Sequence, residues 1–161
     1  MLKKAREVND QKPHAVIKAV QQQVEQWKKK NNARCTVLVL GLTYKPDIDD
    51  VRESPAVFIA QQLAHDDIDL IICEPHIDQE LCMQLMGRPS VMLAPALQQA
   101  DIIVCLVKHS IFSTIDKQLC ASKIVLDVCG LFYEPRLQEG QEQMYWPANN
   151  TFYQMYFKET V

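Results

Sequence analysis

One short segment of this 161-residue sequence concentrates the side chains that could do chemistry. Between Gly41 and Pro55 the sequence reads G-L-T-Y-K-P-D-I-D-D-V-R-E-S-P. The charged residues within it are Lys45, Asp47, Asp49, Asp50, Arg52 and Glu53. Two cations, together with the free amides at the start of a following helix, can bind an anion such as a phosphate. The same charges can instead form ion pairs within a solvated turn, and the spacing leaves both interpretations open.

This segment lacks the glycines of the common phosphate-binding loops. Gly41 is its one glycine, whereas the dinucleotide fingerprint G-x-G-x-x-G requires three. No G-K-[ST] sequence follows, so the segment is not a P-loop either. A phosphate bound here would be held by side chains such as Lys45 or Arg52, and by amides near Ser54, rather than by a glycine cradle.

The flanking pattern predicts a sheet that places this segment at a ligand-binding edge. Continuous apolar runs, typical of strands buried on both faces, alternate with helical patterns. The predicted strands are residues 36–40, 68–73, 90–93, 102–107 and 123–128. We therefore expect an α/β fold: a three-layer, doubly wound, Rossmann-like parallel sheet of five to six strands. Ligands bind such sheets beyond the carboxyl ends of the strands, where the charged segment, residues 74–78 and residues 108–110 all lie.

Helices are predicted from apolar spacing and from capping residues. A long N-terminal helix is expected to begin at Pro13, since proline is favoured at the first helical position, and to end after the lysines at 28–30. Ser54 is the predicted N-cap of the next helix, with Pro55 at its first position. Further helices are predicted at residues 79–86, ended by Gly87, and at residues 95–100 and 115–120.

The composition excludes several classes of protein. The chain is 48% hydrophobic and 23% charged, which is typical of a globular domain and not of a disordered chain. Its net charge of -3 argues against nucleic-acid binding. No apolar run reaches the about 18 residues that span a bilayer, and no signal-peptide core follows Met1. We expect a cytoplasmic protein with no membrane partner.

The six cysteines and four histidines predict neither disulfides nor a metal site. The sequence holds no C-x-x-C pair and no H-x-x-x-H pair. Cys35, Cys73, Cys105 and Cys129 lie in or beside apolar runs, where cysteine is usually a small buried hydrophobe. We expect reduced cysteines that pack in the core.

The charged segment resembles the signature that opens the C-terminal domain of the UDP-glucose/GDP-mannose dehydrogenase family, in the form G-L-T-Y-K-P-D-x-D-D-x-R-E-S-P. A-R-E-V-N-D at residues 5–10 and K-P-H at 12–14 resemble the end of that family's central helical region. V-K-H-S-I-F at residues 107–112 resembles the stretch after a late strand. The resemblance covers roughly residues 2–132 and is closest to the branch that oxidises UDP-N-acetyl-D-mannosamine.

The resemblance implies an oxidoreductase that converts the C6 alcohol of a UDP-sugar to a carboxylate in two steps, each reducing one NAD. In this family an N-terminal Rossmann domain binds NAD, a central helical region forms the dimer and carries the catalytic cysteine and lysine, and the C-terminal domain grips UDP. It implies that residues 1–33 end the central region and that residues 34–136 form the UDP-sugar-binding domain. Residues 137–161 form an aromatic-rich tail with no counterpart.

Individual roles follow from the same resemblance. Tyr44 and Lys45 match the substrate-binding pair of the family, and Arg52 matches the arginine that reaches the NAD held by the other domain. The family's arginine after the fifth strand has no match: Tyr133 stands near that point, and Arg136 either takes the role or the contact is missing. None of the cysteines has the glycine-rich setting of the nucleophile, so no catalytic residue is assigned.

Two functions therefore remain open at the level of the sequence. In the first, the chain is the UDP-binding domain of an NAD-dependent UDP-sugar dehydrogenase of polysaccharide synthesis, which is homo-oligomeric when complete. This chain would bind UDP but would not turn over, because the NAD domain and the nucleophile are missing. In the second, it is a non-catalytic protein-interaction module of the same fold, in which Tyr133 and the aromatic tail form a new surface.

Overall fold

A computed structural model describes residues 2–132, 135–136 and 143–144 of the chain, with side chains for residues 12–132. Along this part of the chain the elements are α1 (Leu2–Asn31), β1 (Thr36–Leu40), α2 (Pro55–Leu63), β2 (Asp69–Cys73), α3 (Gln79–Met86), α4 (Leu93–Gln99), β3 (Ile102–Cys105), a 3₁₀ helix (Ser110–Thr114), α5 (Lys117–Cys120), β4 (Ile124–Asp127), β5 (Pro135–Arg136) and β6 (Gln143–Met144). The alternation of strands and helices predicted from the sequence is confirmed.

The central sheet has four parallel strands in the order β2-β1-β3-β4. The chain passes outward from β1 to β2 and then returns to the other side of β1 to form β3. The helix that follows β1 packs on one face of the sheet and the 3₁₀ helix that follows β3 packs on the other, the arrangement that forms a crevice at the carboxyl ends of two such strands. The predicted doubly wound parallel sheet is confirmed, with four strands among the described residues instead of five to six. β5 and β6 pair separately as an antiparallel ribbon.

Alternate residues of each strand face two different layers of helices, which gives the predicted three layers. One face packs against α1, α2 and α3, and its central residues are Val37, Val39, Ile72, Ile102 and Val104. The opposite face packs against α4, α5 and the 3₁₀ helix, and its central residues are Leu38, Leu40, Ile103, Cys105 and Val125. Each aliphatic side chain buried in this way contributes about 1.5–3 kcal/mol, so the sheet is a rigid base for the loops at its edge.

The strand predicted at residues 90–93 is wrong. Ser90 forms a single isolated bridge with Ile72, and the Val91 amide donates to the Ile72 carbonyl at 2.7 Å. The chain then enters α4 at Leu93, because Pro95 fits the first turn of a helix and cannot donate to a strand ladder. Within the apolar run that suggested a strand, Val91 and Leu93 are partly buried, whereas Met92 is exposed. The helix predicted at residues 115–120 is also shorter, and α5 covers Lys117–Cys120.

The predicted start of the first helix is also wrong, because α1 begins at Leu2 and contains Pro13 in its interior. The residues before Pro13 include strong helix formers such as Leu2 and Ala5, and they continue the helix upstream. The predicted end is confirmed, since Lys28, Lys29 and Lys30 occupy the last turn. No helix in the described part of the chain is long and apolar enough to cross a membrane.

Gly41 closes β1 at a point where the chain leaves no space for a side chain. Its φ is +89°, a conformation that favours glycine. A Cβ built on Gly41 would lie 2.5 Å from the Cβ and 3.1 Å from the Cα of Val107, on the segment that follows β3. The loops after β1 and β3 therefore pack against each other through this glycine.

A matched pair of glycine substitutions tests this close approach. Gly87, at the end of α3, also has a positive φ (+66°), but a Cβ there would meet nothing within 4 Å. We expect Gly87→Ala to lower the free energy of unfolding by about 1 kcal/mol, from backbone strain alone. Gly41→Ala should lower it by about 3 kcal/mol or more, because strain and overlap with Val107 add. Urea denaturation measures both, and equal losses would contradict the account.

Candidate functional site

The β1–α2 loop (residues 41–54) is fixed at both of its ends. At its start the Gly41 amide donates to the Cys73 carbonyl at 3.0 Å. At its end the Ser54 hydroxyl donates to the Leu42 carbonyl at 2.6 Å and accepts a hydrogen bond from the Val57 amide at 3.4 Å. Ser54 is thus the N-cap of α2, as predicted, and it also ties the two ends of the loop together.

A buried carboxylate beneath the loop organises it. Glu74 follows β2 directly and is 2% exposed. Its Oε2 accepts hydrogen bonds from the backbone amides of Leu42 at 2.6 Å and Thr43 at 3.2 Å. Its Oε1 accepts a hydrogen bond from the His76 amide at 2.8 Å. The first residues of the loop are therefore held by a side chain from the neighbouring strand.

His109, which follows β3, links this carboxylate to the middle of the loop. Its side chain is fully buried, with Nε2 2.9 Å from Oε2 of Glu74. Its Nδ1 accepts a hydrogen bond from the Asp47 amide at 2.9 Å. Because a nitrogen that accepts this bond carries no proton, the geometry assigns the ring proton of His109 to Nε2, which donates to Glu74. One histidine thereby joins the ends of β2 and β3 to the loop after β1.

The charge of Glu74 is retained despite its burial. Burial alone would raise the pKa of Glu74, but the hydrogen bonds from His109, Leu42 and His76 outweigh burial and lower the pKa below its usual value. A buried carboxylate with donors on both oxygens is stable in its ionised form. Glu74 therefore holds the loop as an anion.

Asp47 provides a second attachment of the loop. Its carboxylate accepts hydrogen bonds from the hydroxyl and from the amide of Ser110, the latter at 2.8 Å, and these bonds lower the pKa of Asp47. Asp47 has a φ of +60°, so this geometry is held against backbone strain. The His76 ring lies 4.5 Å from the His109 ring, and its Nε2 is 3.5 Å from Oδ1 of Asp47.

Asp47, His76 and His109 belong to three segments predicted to lie at the same edge of the sheet, and their ligand atoms lie within 4.8 Å of one another. Such a group has the donor types of a metal site. However, Nδ1 of His109 already accepts the Asp47 amide, and the Asp47 carboxylate accepts two bonds from Ser110. These side chains are therefore committed to holding the loop, and the arrangement is a hydrogen-bonded network.

A cleft of about 460 Å³ opens beside the loop, at the carboxyl ends of β1, β3 and β4. Its walls come from the loop, from the start of α2, from α1 and from the segments after β3 and β4. The lining includes the charged or polar side chains of Lys12, Thr43, Tyr44, Lys108 and Cys129, and the remainder of the wall is largely apolar. This volume and mixture are typical of small-molecule sites.

Among the predicted site residues with described side chains, Tyr44 alone lines this cleft. Half of its surface is exposed. Lys45 is exposed and lies outside the lining, and its carbonyl accepts a hydrogen bond from the Thr43 hydroxyl. Arg52, 87% exposed, is held by Asp50 through bonds of 3.0 and 2.8 Å. This pair lowers the pKa of Asp50 to about 2 and matches the ion pair left open by the sequence.

The remaining predicted residues lie at or beyond the limits of the described structure. The backbone of Arg136 forms part of β5 and pairs with Gln143, but its side chain lies outside the described side chains. Tyr133 and most of the tail at residues 137–161, including the aromatic run, also lie outside the described residues.

Sequence reasoning placed residues 74–78 and 108–110 at the ligand-binding edge but assigned no role to Glu74, Lys108 or His109. Glu74 follows β2 directly, and Lys108 and His109 lie three and four residues after the end of β3, so position after a strand was the available signal. Lys12 could not be found in this way, because it reaches the cleft from α1, whose position the sequence pattern leaves undefined.

The six cysteines are free thiols, and five are buried as expected. Cys129 is partly exposed and lines the cleft. Burial, with a smaller effect of the Asp127 charge, raises the pKa of Cys129 to about 12. Because the thiolate is the reactive form, this raised pKa disfavours Cys129 as a nucleophile at neutral pH.

The fold and the cleft define the protein as a Rossmann-like ligand-binding domain. A sequence model of the UDP-glucose/GDP-mannose dehydrogenase family, UDP binding domain, matches residues 38–134, more than half of the chain. The chain belongs to this family of oxidoreductases, and the matched part is the UDP-binding domain. The resemblance noted in the sequence is confirmed.

Curated relatives support the same family. An NDP-N-acetyl-D-galactosaminuronic acid dehydrogenase from Ralstonia solanacearum is 36% identical over 138 residues, which is 85% of this chain and 31% of the relative. The UDP-N-acetyl-D-mannosamine dehydrogenase of Escherichia coli K12 is 38% identical over 138 residues, 82% of this chain and 32% of the relative. The chain thus spans about a third of the length of the relatives that it matches.

Solved structures show the same fold. A UDP-N-acetyl-mannosamine dehydrogenase from S. aureus superimposes with a TM-score of 0.62 at 27% identity, covering 78% of this chain and 28% of that one. A UDP-D-ManNAc dehydrogenase from Pyrococcus horikoshii gives a TM-score of 0.60 at 22% identity, covering 83% and 30%. The second similarity supports the fold alone.

The residues of this domain do not fit NAD in the manner of a dinucleotide-binding Rossmann unit. In such a unit, three glycines approach the pyrophosphate and an acidic residue about 20 positions later binds the ribose. Here Gly41 is the one glycine of the turn. The acidic residue after β2 is Glu74, and its carboxylate already accepts hydrogen bonds from the amides of Leu42 and Thr43 and from His109.

The role of Glu74 predicts both a loss of stability and a change in its pH dependence. In Glu74→Gln an NH₂ group replaces one accepting oxygen and faces a donor, so the free energy of unfolding should fall by about 3 kcal/mol at pH 7. Glu80→Gln, on the exposed side of α3, should change it by less than about 0.5 kcal/mol.

The pH dependence follows from the lowered pKa of Glu74. A carboxyl whose pKa is lower in the folded state stabilises fully above its unfolded pKa, and this contribution is lost as the pH falls through the folded pKa. The difference between wild type and Glu74→Gln should therefore be constant above about pH 5 and shrink below it. Urea denaturation from pH 7 to pH 3 measures this, and a constant difference throughout would contradict the role assigned to Glu74.

Proposed function

We propose that the cleft binds the UDP part of a nucleotide sugar and that the chain is the nucleotide-sugar half-site of an NAD-dependent UDP-sugar 6-dehydrogenase. The observation that carries the proposal is the position of the cleft at the β1–β3 crevice, within a domain that matches the UDP-binding domain of the family. The complete reaction would oxidise the C6 alcohol to a carboxylate by two successive hydride transfers, each reducing one NAD. Relatives named for N-acetyl-D-mannosamine and for N-acetyl-D-galactosaminuronic acid support a UDP-N-acetylhexosamine as substrate, and we favour UDP-N-acetyl-D-mannosamine.

In this proposal each predicted residue has a place relative to the cleft. Tyr44 lies in the wall and offers an aromatic face to the uracil base. Lys45 and Arg52 lie outside the lining, so we assign them to groups that extend beyond it: Lys45 to the sugar side of the substrate and Arg52 to NAD held by the family's other domain. Arg136 stays the predicted second substrate contact.

The proposal also covers domain organisation and turnover. We assign residues 34–136 to the UDP-binding domain, residues 1–33 to the end of the central helical region and residues 137–161 to a separate tail. This chain should bind UDP without oxidising the sugar. Its thiols Cys35, Cys73 and Cys129 have raised pKa values, and its turn after β1 does not fit NAD. In the complete enzyme we expect a homo-oligomer located in the cytoplasm.

Calorimetric titration of the whole chain with UDP, UMP and uridine tests the proposed ligand. We expect saturable binding whose affinity falls in the order UDP, UMP, uridine, because each phosphate adds charge that the cationic cleft can hold. Absence of heat at millimolar UDP, in a sample shown to be folded, would contradict the proposal and favour the alternative of a protein-interaction module.

A second titration tests the contact made by Tyr44. Tyr44→Ala should weaken the binding of UDP and of uridine by the same factor, about tenfold or more. The reason is that stacking on a base contributes about 1–3 kcal/mol to binding. Tyr44→Phe keeps the ring and should bind within about twofold of wild type. Met92→Ala removes another exposed apolar side chain outside the cleft and serves as the control. Equal affinities for wild type and Tyr44→Ala would place the base elsewhere.

A further inference from the structure

We propose that the phosphates of the ligand are held by Lys108 and Lys12, which line the cleft from segments outside the β1–α2 loop. This inference deepens the proposed function and rests on it, since it assigns the cations that recognise the diphosphate. Both lysines lie outside the charged segment at residues 41–55.

The charge on the cleft wall has one sign. Lys12 and Lys108 are the charged residues among the described residues that line it. The acidic residues of the neighbouring loop, Asp47, Asp49, Asp50 and Glu53, all lie outside the lining. The chain as a whole has a net charge of -3, so this cleft is a local concentration of positive charge on an acidic protein. Such a cleft favours an anion over a neutral or cationic ligand.

Both ammonium groups lack an acidic partner among the described side chains. The described ion pairs engage other cations: Lys28 pairs with Asp67 at 3.1 Å, and Arg52 pairs with Asp50 at 2.8 Å. Lys12 and Lys108 are both exposed. An incoming phosphate therefore gains two cations without displacing a described carboxylate, whereas at Arg52 it would compete with Asp50.

The backbone around Lys108 is fixed on both sides. Val107 before it packs against Gly41, with no room for a side chain there. His109 after it is buried and bonded to Glu74 at 2.9 Å. The base of the Lys108 side chain is thereby held at the cleft wall. Because of this, less conformational entropy is lost when a ligand binds. The hydrogen bonds between Glu74, His109 and the β1–α2 loop therefore position Lys108 as well as the loop.

Lys12 approaches from a different element, which fixes the orientation of the ligand. It lies on α1, next to Pro13, and Pro13 and Val16 of the same helix line the cleft. α1 packs against the sheet through Val16 and Val20, which are buried in the core. Two lysines on separate, anchored elements can hold two phosphate groups, with the apolar wall and Tyr44 left for the nucleoside.

Titration calorimetry with lysine variants of the whole chain tests this assignment. Lys108→Gln and Lys12→Gln keep most of the side-chain stem and remove the charge. Each should weaken UDP binding about five- to tenfold and leave uridine binding within about twofold of wild type. In the double variant, most of the difference in affinity between UDP and uridine should be lost. Raised salt should weaken UDP binding more in wild type than in the double variant. Lys29→Gln, at the far end of α1, is the matched control and should bind UDP as wild type does.

The outcomes separate this inference from the proposed function. If wild type binds UDP and the two single variants bind it equally well, the assignment of Lys108 and Lys12 is overturned and the proposed function stands. If wild type does not bind UDP, inorganic pyrophosphate is the second probe. Binding of pyrophosphate that is lost in Lys108→Gln would support the lysine site and overturn UDP as its ligand, and no binding of either would overturn both.

Discussion

The hydrogen bond between Glu74 and His109 is the interaction on which the geometry of the site depends. It lies at the carboxyl edge of the sheet, and each partner also holds the loop after β1: Glu74 through the amides of Leu42 and Thr43, and His109 through the amide of Asp47. Because both side chains are buried, loss of either would leave an uncompensated polar group in the core. The loop is thus an extension of the folded core.

This network accounts for the difference between the domain and a dinucleotide-binding Rossmann unit of the same topology. The acid at the end of β2, which such a unit offers to a ribose, is used here to hold the protein's own loop. The crevice between β1 and β3 remains open, and its wall combines an aromatic ring with two lysines. The same topology can thereby serve a nucleotide diphosphate in a different way, since function resides in the site and not in the fold.

The sequence predicted the fold better than the site. The strand at Thr36–Leu40 and the Ser54 cap depend on local pattern, and both predictions were confirmed. The strand predicted at residues 90–93 was wrong, because α4 begins at Leu93 with Pro95 in its first turn. The loop was identified correctly as the specialised segment, but the position of its side chains was not. Which of Tyr44 and Lys45 faces the cleft depends on hydrogen bonds to Glu74 and His109, residues 32 and 66 positions away from Leu42 and Thr43. Contacts of that range are not encoded in the spacing of the loop itself.

The most direct test of the account is to observe where UDP binds on the chain, by following backbone amide resonances of ¹⁵N-labelled protein during a titration. The account predicts shifts at Thr43, Tyr44, Lys108 and Cys129, which line the cleft from three separate segments, with little change in α4 and α5 on the other face of the sheet. Shifts confined to α4 and α5, with the cleft residues unchanged at saturation, would contradict it.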